Sequence, residues 1–352
     1  MLQSTKRIFL TCFFLLLTAI LHLVGRYARE LVFWVYPMIS QNILRIVGGF
    51  FSLFPVAVWE LLALVGGILF IYSLINDLSG AHIIEWVTKM ALTLSIGLFA
   101  LTLMWGLNYY SPPMHEKLDL SGEKASVTQL KSAAVYYRNK ANEAAERVKR
   151  DTDGNMSYES FHALADSATD SYTLLSLEYD CFSGPRYQPK KMVIAEIMSL
   201  DGIYVPFTGE SSVSADTCGA CLPYIMCREI GRGCGFAERG EAEFAAFLAC
   251  TASDSPELQY SGYFNAFSLC YNALYAQDPD AAREVWSGVS QSVRKDCAIR
   301  LEEETDAWTM AMDTLLENLW NIYAETSRYE EGPPEHDNAP DLLTMWYLEE
   351  IL

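Results

Sequence analysis

The sequence is poor in positive charge. Its 352 residues include 25 Lys and Arg against 44 Asp and Glu, which gives a formal net charge of −19. A protein that binds nucleic acid neutralises phosphates with basic side chains, and an acidic surface is repelled by anionic polymers. The charge balance therefore excludes nucleic acid as a partner.

Charged residues of either sign are scarce in the first 110 residues, which carry six basic and four acidic side chains, a net charge of +2. The formal −19 of the whole chain therefore leaves −21 for residues 111–352. We predict two domains from this division: a lipid-solvated membrane domain over 1–110, and an acidic, mainly helical domain over 111–352.

Three segments of the first domain are apolar and long enough to cross a bilayer: residues 8–25, 55–75 and 90–110. Two basic residues precede the first segment, as they would in a signal peptide. No small-residue cleavage site follows it, and more apolar segments come after, so we predict an uncleaved helix. The lipid bilayer is thus the first partner that the sequence indicates.

A fourth apolar stretch, Leu31–Phe54, lies between the first two predicted spans. Pro37, Arg45 and the pair Gly48–Gly49 interrupt it. These interruptions favour a surface-lying or partly buried segment over a fourth span.

Basic residues near the spans give conflicting indications of orientation. Lys6 and Arg7 favour a cytoplasmic N-terminus, and three spans then place the acidic domain outside the cell. Three arginines in the first loop, which holds one glutamate, favour the opposite orientation. We expect a multi-pass protein of the cell membrane whose large domain is extracytoplasmic.

The acidic domain is predicted to be almost entirely helical. Ser126 is a suitable N-cap for a helix that ends near Arg150, and a second helical pattern covers 157–178. The segment 201–209 is bounded by glycine and rich in β-forming residues, so it is the best strand. From Pro223 the pattern is helical to about Thr326.

Eight of the nine cysteines follow residue 110, and several of them lie inside apolar helical patterns. Cysteine commonly serves as a small buried hydrophobe in such patterns. We predict mostly free, buried thiols, with a Cys218–Cys221 or other disulfide as the alternative.

Four blocks of sequence indicate a family: WGLNYYSPP at Trp105–Pro113, GIYVPFTGE at Gly202–Glu210, PYIMCREIGRGCGFAERGEAEFAAFLAC at Pro223–Cys250, and SGYFNAFSLCYNAL at Ser261–Leu274. Together with three spans, they resemble a bacterial family, the domain-of-unknown-function family 3810. Its members are membrane-anchored and zinc-metallopeptidase-like. The resemblance implies a mostly α fold: about three N-terminal transmembrane helices and a helical, zincin-like domain with little strand.

The chemical motif of that family is HExxH on a helix, followed by an acidic segment. Two histidines four residues apart lie on one helical face and hold zinc, and the glutamate takes a proton from the zinc-bound water. A later acidic residue completes the ligand set. Laid onto this sequence, the motif reads Arg228-Glu229-Ile230-Gly231-Arg232, and the later acidic ligand falls on Glu241.

Both imidazole ligands are thus replaced by arginine, which keeps its proton and cannot bind a metal ion. Glu229 remains as a vestigial general base, whereas Arg239 and Glu243 also depart from the family pattern. No histidine lies close in sequence; the five are His22, His82, His115, His162 and His336. We therefore expect no zinc or other cofactor, and an inactive pseudo-metallopeptidase that binds peptide or cell-envelope material.

Two arrangements of the former metal pocket stay open at this stage. In one, Arg228, Glu229, Arg232 and Glu241 form a salt-bridge cluster that fastens the helices as zinc would. In the other, the pocket has opened and the arginines point into water.

Two other functions also stay open. One is an active hydrolase with relocated ligands, drawn from the cysteines at 218, 221, 227 and 234 and a glutamate. The other is a purely structural or binding membrane protein.

Overall fold

The structure, a computed structural model, describes residues 2–79, 82–121, 124–193, 200–304 and 338–352. Helix accounts for 73% of these described residues and strand for 4%, which confirms the predicted mostly α fold. The chain divides into two compact units. The first combines Met1–Ser111 with Val205–Glu210, and the second combines Pro112–Tyr204 with Ser211–Leu352.

Four long helices make up most of the first unit, and α1 packs along α4. They are α1 (Leu2–Tyr27), α2 (Arg29–Phe51), α3 (Val58–Ser79) and α4 (Ile83–Met104), followed by a 3₁₀ turn, Gly106–Tyr110.

Three of these helices are long and apolar enough to cross a membrane, over Gln3–Tyr27, Val58–Asn76 and Ile83–Met104. The predicted number of spans is therefore confirmed. The predicted third span, 90–110, was placed too late in the chain. Its helix already begins at Ile83, because charged side chains in the first turns of a spanning helix can reach the interface. It ends at Met104, since Trp105 leaves the helical conformation.

The interrupted segment between the first two spans is one continuous helix, α2, with Pro37 inside it. Proline removes one backbone donor there without ending the helix. Val32, Tyr36 and Leu44 of α2 are buried within the first unit, whereas many of its other side chains are exposed. The helix is thus partly buried, and it is not among the candidate spans found in the described residues.

The second unit contains nine of the helices that the structure describes and a small sheet, except for the strand-end residues Val205 and Glu210, which belong to the first unit. The helices are α5 (Met114–Lys117), α6 (Val127–Ala145), α7 (Phe161–Glu178), α8 (Leu222–Cys234), α9 (Arg239–Ala252), α10 (Pro256–Gln277), α11 (Pro279–Ser287), α12 (Gln291–Glu304) and α13 (Ala339–Trp346). The strands are β1 (Lys190–Lys191), β2 (Gly202–Val205) and β3 (Glu210–Val213), in the order β1-β3-β2 with β1 parallel to β3.

Local signals in the sequence located one boundary of each of the first two helices of this unit and missed the other. Ser126 caps α6 through a capping box with Gln129, as predicted, but the helix ends at Ala145. The second helix begins at Phe161, after Ser160 caps it, rather than at residue 157. The predicted strand is present as β2. The last part of the predicted helical stretch, from residue 305 to about Thr326, lies outside the described residues.

The core of the second unit is built on close contact between α6 and α10. Leu130, Ala134, Tyr137 and Ala141 are spaced four, three and four residues apart on α6, and all are buried. This spacing places them on one helical face. Alanine on that face keeps the helices close, because it adds little bulk between the two backbones.

The C-terminal helix α13 belongs to this core. Leu342, Leu343 and Met345 are fully or almost fully buried. The Tyr137 hydroxyl donates a hydrogen bond of 2.7 Å to the Leu343 carbonyl oxygen, and Tyr136 makes a ring contact with Tyr347. The segment after residue 337 is therefore an integral part of the second unit, which is called the acidic unit from here on.

We predict that Tyr137→Phe weakens the docking of α13. The Leu343 oxygen also accepts the backbone N–H of Tyr347, so removing the hydroxyl costs one net hydrogen bond, about 0.5–1.5 kcal/mol of unfolding free energy. Chemical denaturation of the full chain in detergent measures it. Tyr136→Phe, one residue away and partly exposed, is the control. An equal loss of unfolding free energy in both variants would contradict the stabilising role of the Tyr137 hydrogen bond.

Candidate functional site

Helix α8 carries residues 228–232, onto which the resemblance lays the HExxH motif, and local sequence defines both of its ends. Pro223 occupies the first turn, where a missing backbone N–H costs nothing. Gly235 ends the helix with φ +107°, a left-handed conformation that favours glycine. Its N–H donates to the Arg232 carbonyl oxygen at 3.1 Å. The predicted helical setting of the motif is therefore present.

Two hydrogen bonds hold α8 in the interior of the acidic unit. The Tyr172 hydroxyl of α7 donates to the Cys227 carbonyl oxygen at 2.8 Å. The Ser211 hydroxyl of β3 donates to the Glu229 carbonyl oxygen at 2.9 Å. Both acceptors are mid-helix carbonyls, so the backbone of α8 is fixed from two directions at the motif itself.

Arg228 binds two carboxylates at once. Its Nε donates to Glu229 Oε1 at 2.8 Å. Its two terminal nitrogens donate to Asp201, Nη2 to Oδ1 at 2.9 Å and Nη1 to Oδ2 at 3.1 Å. This forked arrangement on Asp201 is the strongest geometry available to an arginine–carboxylate pair. All of the guanidinium nitrogens are therefore engaged in the cluster.

Glu229 lies between the two arginines of the motif, and its side chain is only 2% exposed. One oxygen accepts from Arg228, and the other, Oε2, lies 3.6 Å from Arg232 Nε. The second distance is that of an ion pair and is longer than a hydrogen bond. The carboxylate is therefore enclosed by positive charge.

Backbone from β2 covers the glutamate. A methyl group placed on Gly202 would lie 2.9 Å from Glu229 Cγ and 2.8 Å from a methyl carbon of Ile225. Only glycine allows the strand to approach α8 this closely. The same approach brings Asp201, the preceding residue, to Arg228.

The charges of the cluster perturb the pKa of Asp201. Partial burial alone would raise the pKa of this carboxyl, but the adjacent Arg228 guanidinium and its hydrogen bonds outweigh burial and lower it. For Arg228, burial would lower the pKa, and the two carboxylates more than reverse that effect. Asp201 and Arg228 are thus both ionised at neutral pH.

The structure brings together Arg228, Glu229 and Arg232, and it adds Asp201, which the sequence analysis missed. Arg228 and Arg232 are 13% and 20% exposed, and each has a nitrogen facing an oxygen of Glu229. Asp201 immediately precedes the GIYVPFTGE block, but no local pattern indicates that it approaches α8.

The acidic segment that follows α8 lies on α9. Glu241 is buried in the first turn of α9. Burial raises the pKa of Cys181 to about 11, and the charge of Glu241 adds to this increase. Arg239 pairs with Glu243 one turn later, Nε to Oε1 at 3.1 Å, and Arg239 is largely exposed.

The residues present do not fit the zinc ion that the resemblance implies. Arginine at both imidazole positions has no lone pair to give, and its fixed charge repels a dication. Among the described residues no group of three or more His, Cys, Asp or Glu could hold a metal ion. None of the nine cysteines, all of which lie in the described part of the chain, forms a disulfide.

Comparison with known proteins gives one positive result. A family model described as "Protein of unknown function (DUF3810)" matches residues 34–344, which is most of the chain. No curated protein and no solved structure matches the chain.

We predict that Arg228→Ala destabilises the full chain by about 3–5 kcal/mol, because it leaves the buried Glu229 carboxylate without its hydrogen-bonded counter-charge. Arg283→Ala removes an ion pair with Asp280 in which both side chains are exposed, and it should leave the stability nearly unchanged. Both variants delete one guanidinium, so they form a matched pair in chemical denaturation. Similar midpoints for the two would show that the α8 cluster does not stabilise the fold.

Proposed function

The chain belongs to the DUF3810 family, and we propose that this protein is a membrane-anchored, metallopeptidase-like protein without catalytic activity. The observation that carries the proposal is the position of Glu229, a 2% exposed carboxylate with an arginine nitrogen facing each of its oxygens.

The environment of Glu229 opposes the role of a general base. A general base needs to reach a proton on water or substrate, at about 2.6–3.2 Å. Here Oε1 already accepts from Arg228, and Oε2 faces Arg232.

The arginines instead suit a structural role. Through Glu229 and Asp201, Arg228 joins α8 to the segment that begins β2. A zinc ion bound by a helix and by residues outside it would make the same kind of connection. The ionic cluster thus connects the elements that a zinc ion would connect, but it provides no metal ion for catalysis.

The membrane part of the proposal rests on the three helices that are long and apolar enough to cross a bilayer. We place the protein in the bacterial cell membrane with its acidic unit outside, since Lys6 and Arg7 precede the first span. The acidic unit would then bind peptide or cell-envelope material, which reaches it without crossing the bilayer.

Metal analysis of the purified full chain tests the proposal. After dialysis, the wild-type protein should hold far less than one zinc ion per chain, because two ligand positions are arginine. The matched variant is Arg228→His with Arg232→His, which restores both imidazoles. Zinc uptake by that variant alone would support descent of the site from a metal centre.

Two results would overturn the proposal. Stoichiometric zinc in the wild-type protein that is lost when Cys218 and Cys221 are changed to Ser would indicate relocated ligands. Peptide hydrolysis by the wild-type protein that is abolished by Glu229→Gln would show that the glutamate still acts as a base.

A further inference from the structure

The turn between β2 and β3 belongs to the first unit, which is called the membrane unit from here on. This segment, Val205–Glu210, is here called the finger. Its backbone folds back on itself, with the N–H groups of Thr208 and Gly209 donating to the Val205 carbonyl oxygen at 3.2 and 2.8 Å. The sequence placed the finger inside the acidic domain, whereas the structure groups it with Met1–Ser111.

A carboxylate fixes the finger to the start of a membrane helix. Glu210 accepts the backbone N–H of Val58 at 3.0 Å and that of Trp59 at 2.9 Å. These are orphan donors of the first turn of α3, and the positive end of the helix dipole favours a negative charge there. Glu210 is almost fully buried, so the carboxylate satisfies donors that would otherwise be left at the edge of the bilayer.

A glycine fixes the finger to a second helix. Gly209 has φ +65°, and a methyl group placed on it would lie 2.8 Å from Gly48 Cα of α2. A larger residue would be strained by its own backbone and would also collide with α2. The two attachments hold the finger at the level where α3 begins.

The finger and the linker before α3 expose apolar side chains at that level. Phe207 is 46% exposed at the tip of the finger. Leu53, Phe54 and Val56, in the linker that precedes α3, are also exposed. The candidate span begins at Val58, only a few residues away along the chain. Large apolar side chains exposed this close to a span are costly in water.

We propose that the finger is a lipid-interface anchor, in which Phe207 inserts into the boundary between headgroups and acyl chains of the bilayer that α3 crosses. Glu210 binds the first amides of α3, and those amides lie at the edge of the hydrocarbon region. Phe207 is three residues from Glu210 and therefore lies at the same depth. Lipid is the partner that we assign to Phe207, because the exposed apolar residues around it lead directly into the helix that crosses the bilayer. The inference rests on the membrane placement in the proposed function.

A fluorescent label at position 207 tests the anchor. In the full chain with Cys12→Ser, Phe207→Cys is labelled with an environment-sensitive dye and reconstituted in phosphatidylcholine vesicles. The parent protein without the new cysteine supplies the background. We expect loss of most of the emission with nitroxide-labelled lipid and little loss with aqueous iodide.

Two control positions distinguish a failure of the anchor proposal from a failure of the proposed membrane placement. Ile68→Cys lies in the middle of the α3 span and should be quenched by lipid. Leu174→Cys, on α7 of the acidic unit, is 47% exposed, which matches Phe207, and iodide should quench it. Quenching at 207 by iodide, with Ile68 quenched by lipid, would overturn the anchor alone. Iodide quenching at Ile68 would refute the membrane placement.

A measurement on unaltered protein covers the case in which Phe207→Cys does not fold. Photoactivatable phosphatidylcholine is cross-linked to the wild-type chain in vesicles, and modified peptides are identified by mass spectrometry. Adducts on the peptide that contains Phe207 are expected. Lipid adducts on the peptide that contains Ile68, with none on the peptide that contains Phe207, would overturn the proposal.

Discussion

The contact between Arg228 and Glu229 is the interaction on which the acidic unit depends. A carboxylate removed from water is costly unless charge and hydrogen bonds compensate it. Glu229 lies on a helix whose neighbours are packed closely, so solvent cannot supply that compensation. Arg228 supplies it with a 2.8 Å hydrogen bond and extends the pair to Asp201. Arg232 contributes a second positive charge at 3.6 Å.

Under the proposed function, the same contact would let a helix of metal-site type persist without its metal. Zinc joins elements by accepting lone pairs from several side chains, and its loss leaves carboxylates without a cation. Arginine at a ligand position would restore the positive charge on the helix itself and would need carboxylates as partners. Glu229 is one such partner, and the approach of Gly202 brings Asp201 within reach as a second. We therefore propose that the substitution changes the chemistry and keeps the connection.

Sequence alone predicted features that depend on local or repeated signals. The number of spans follows from long apolar runs, the start of α6 follows from the Ser126 cap, and family membership follows from several blocks of sequence; all three are confirmed. The partners of Arg228 could not be predicted in full, because Asp201 reaches it only through tertiary packing. The assignment of Val205–Glu210 to the membrane unit has the same cause. A strand–turn–strand pattern does not indicate what its turn contacts.

The unfolding free energy of Glu229→Gln tests the central claim most directly. If the carboxylate is a structural counter-charge, the variant should be less stable than the wild-type chain by roughly 3 kcal/mol, because Arg228 and Arg232 lose their shared anion. Chemical denaturation of the two full-length proteins, at the same pH and in the same detergent, measures the difference. Removal of a catalytic acid often leaves stability unchanged or raises it, since active sites are strained. A Glu229→Gln variant as stable as the wild-type protein, or more stable, would contradict the account.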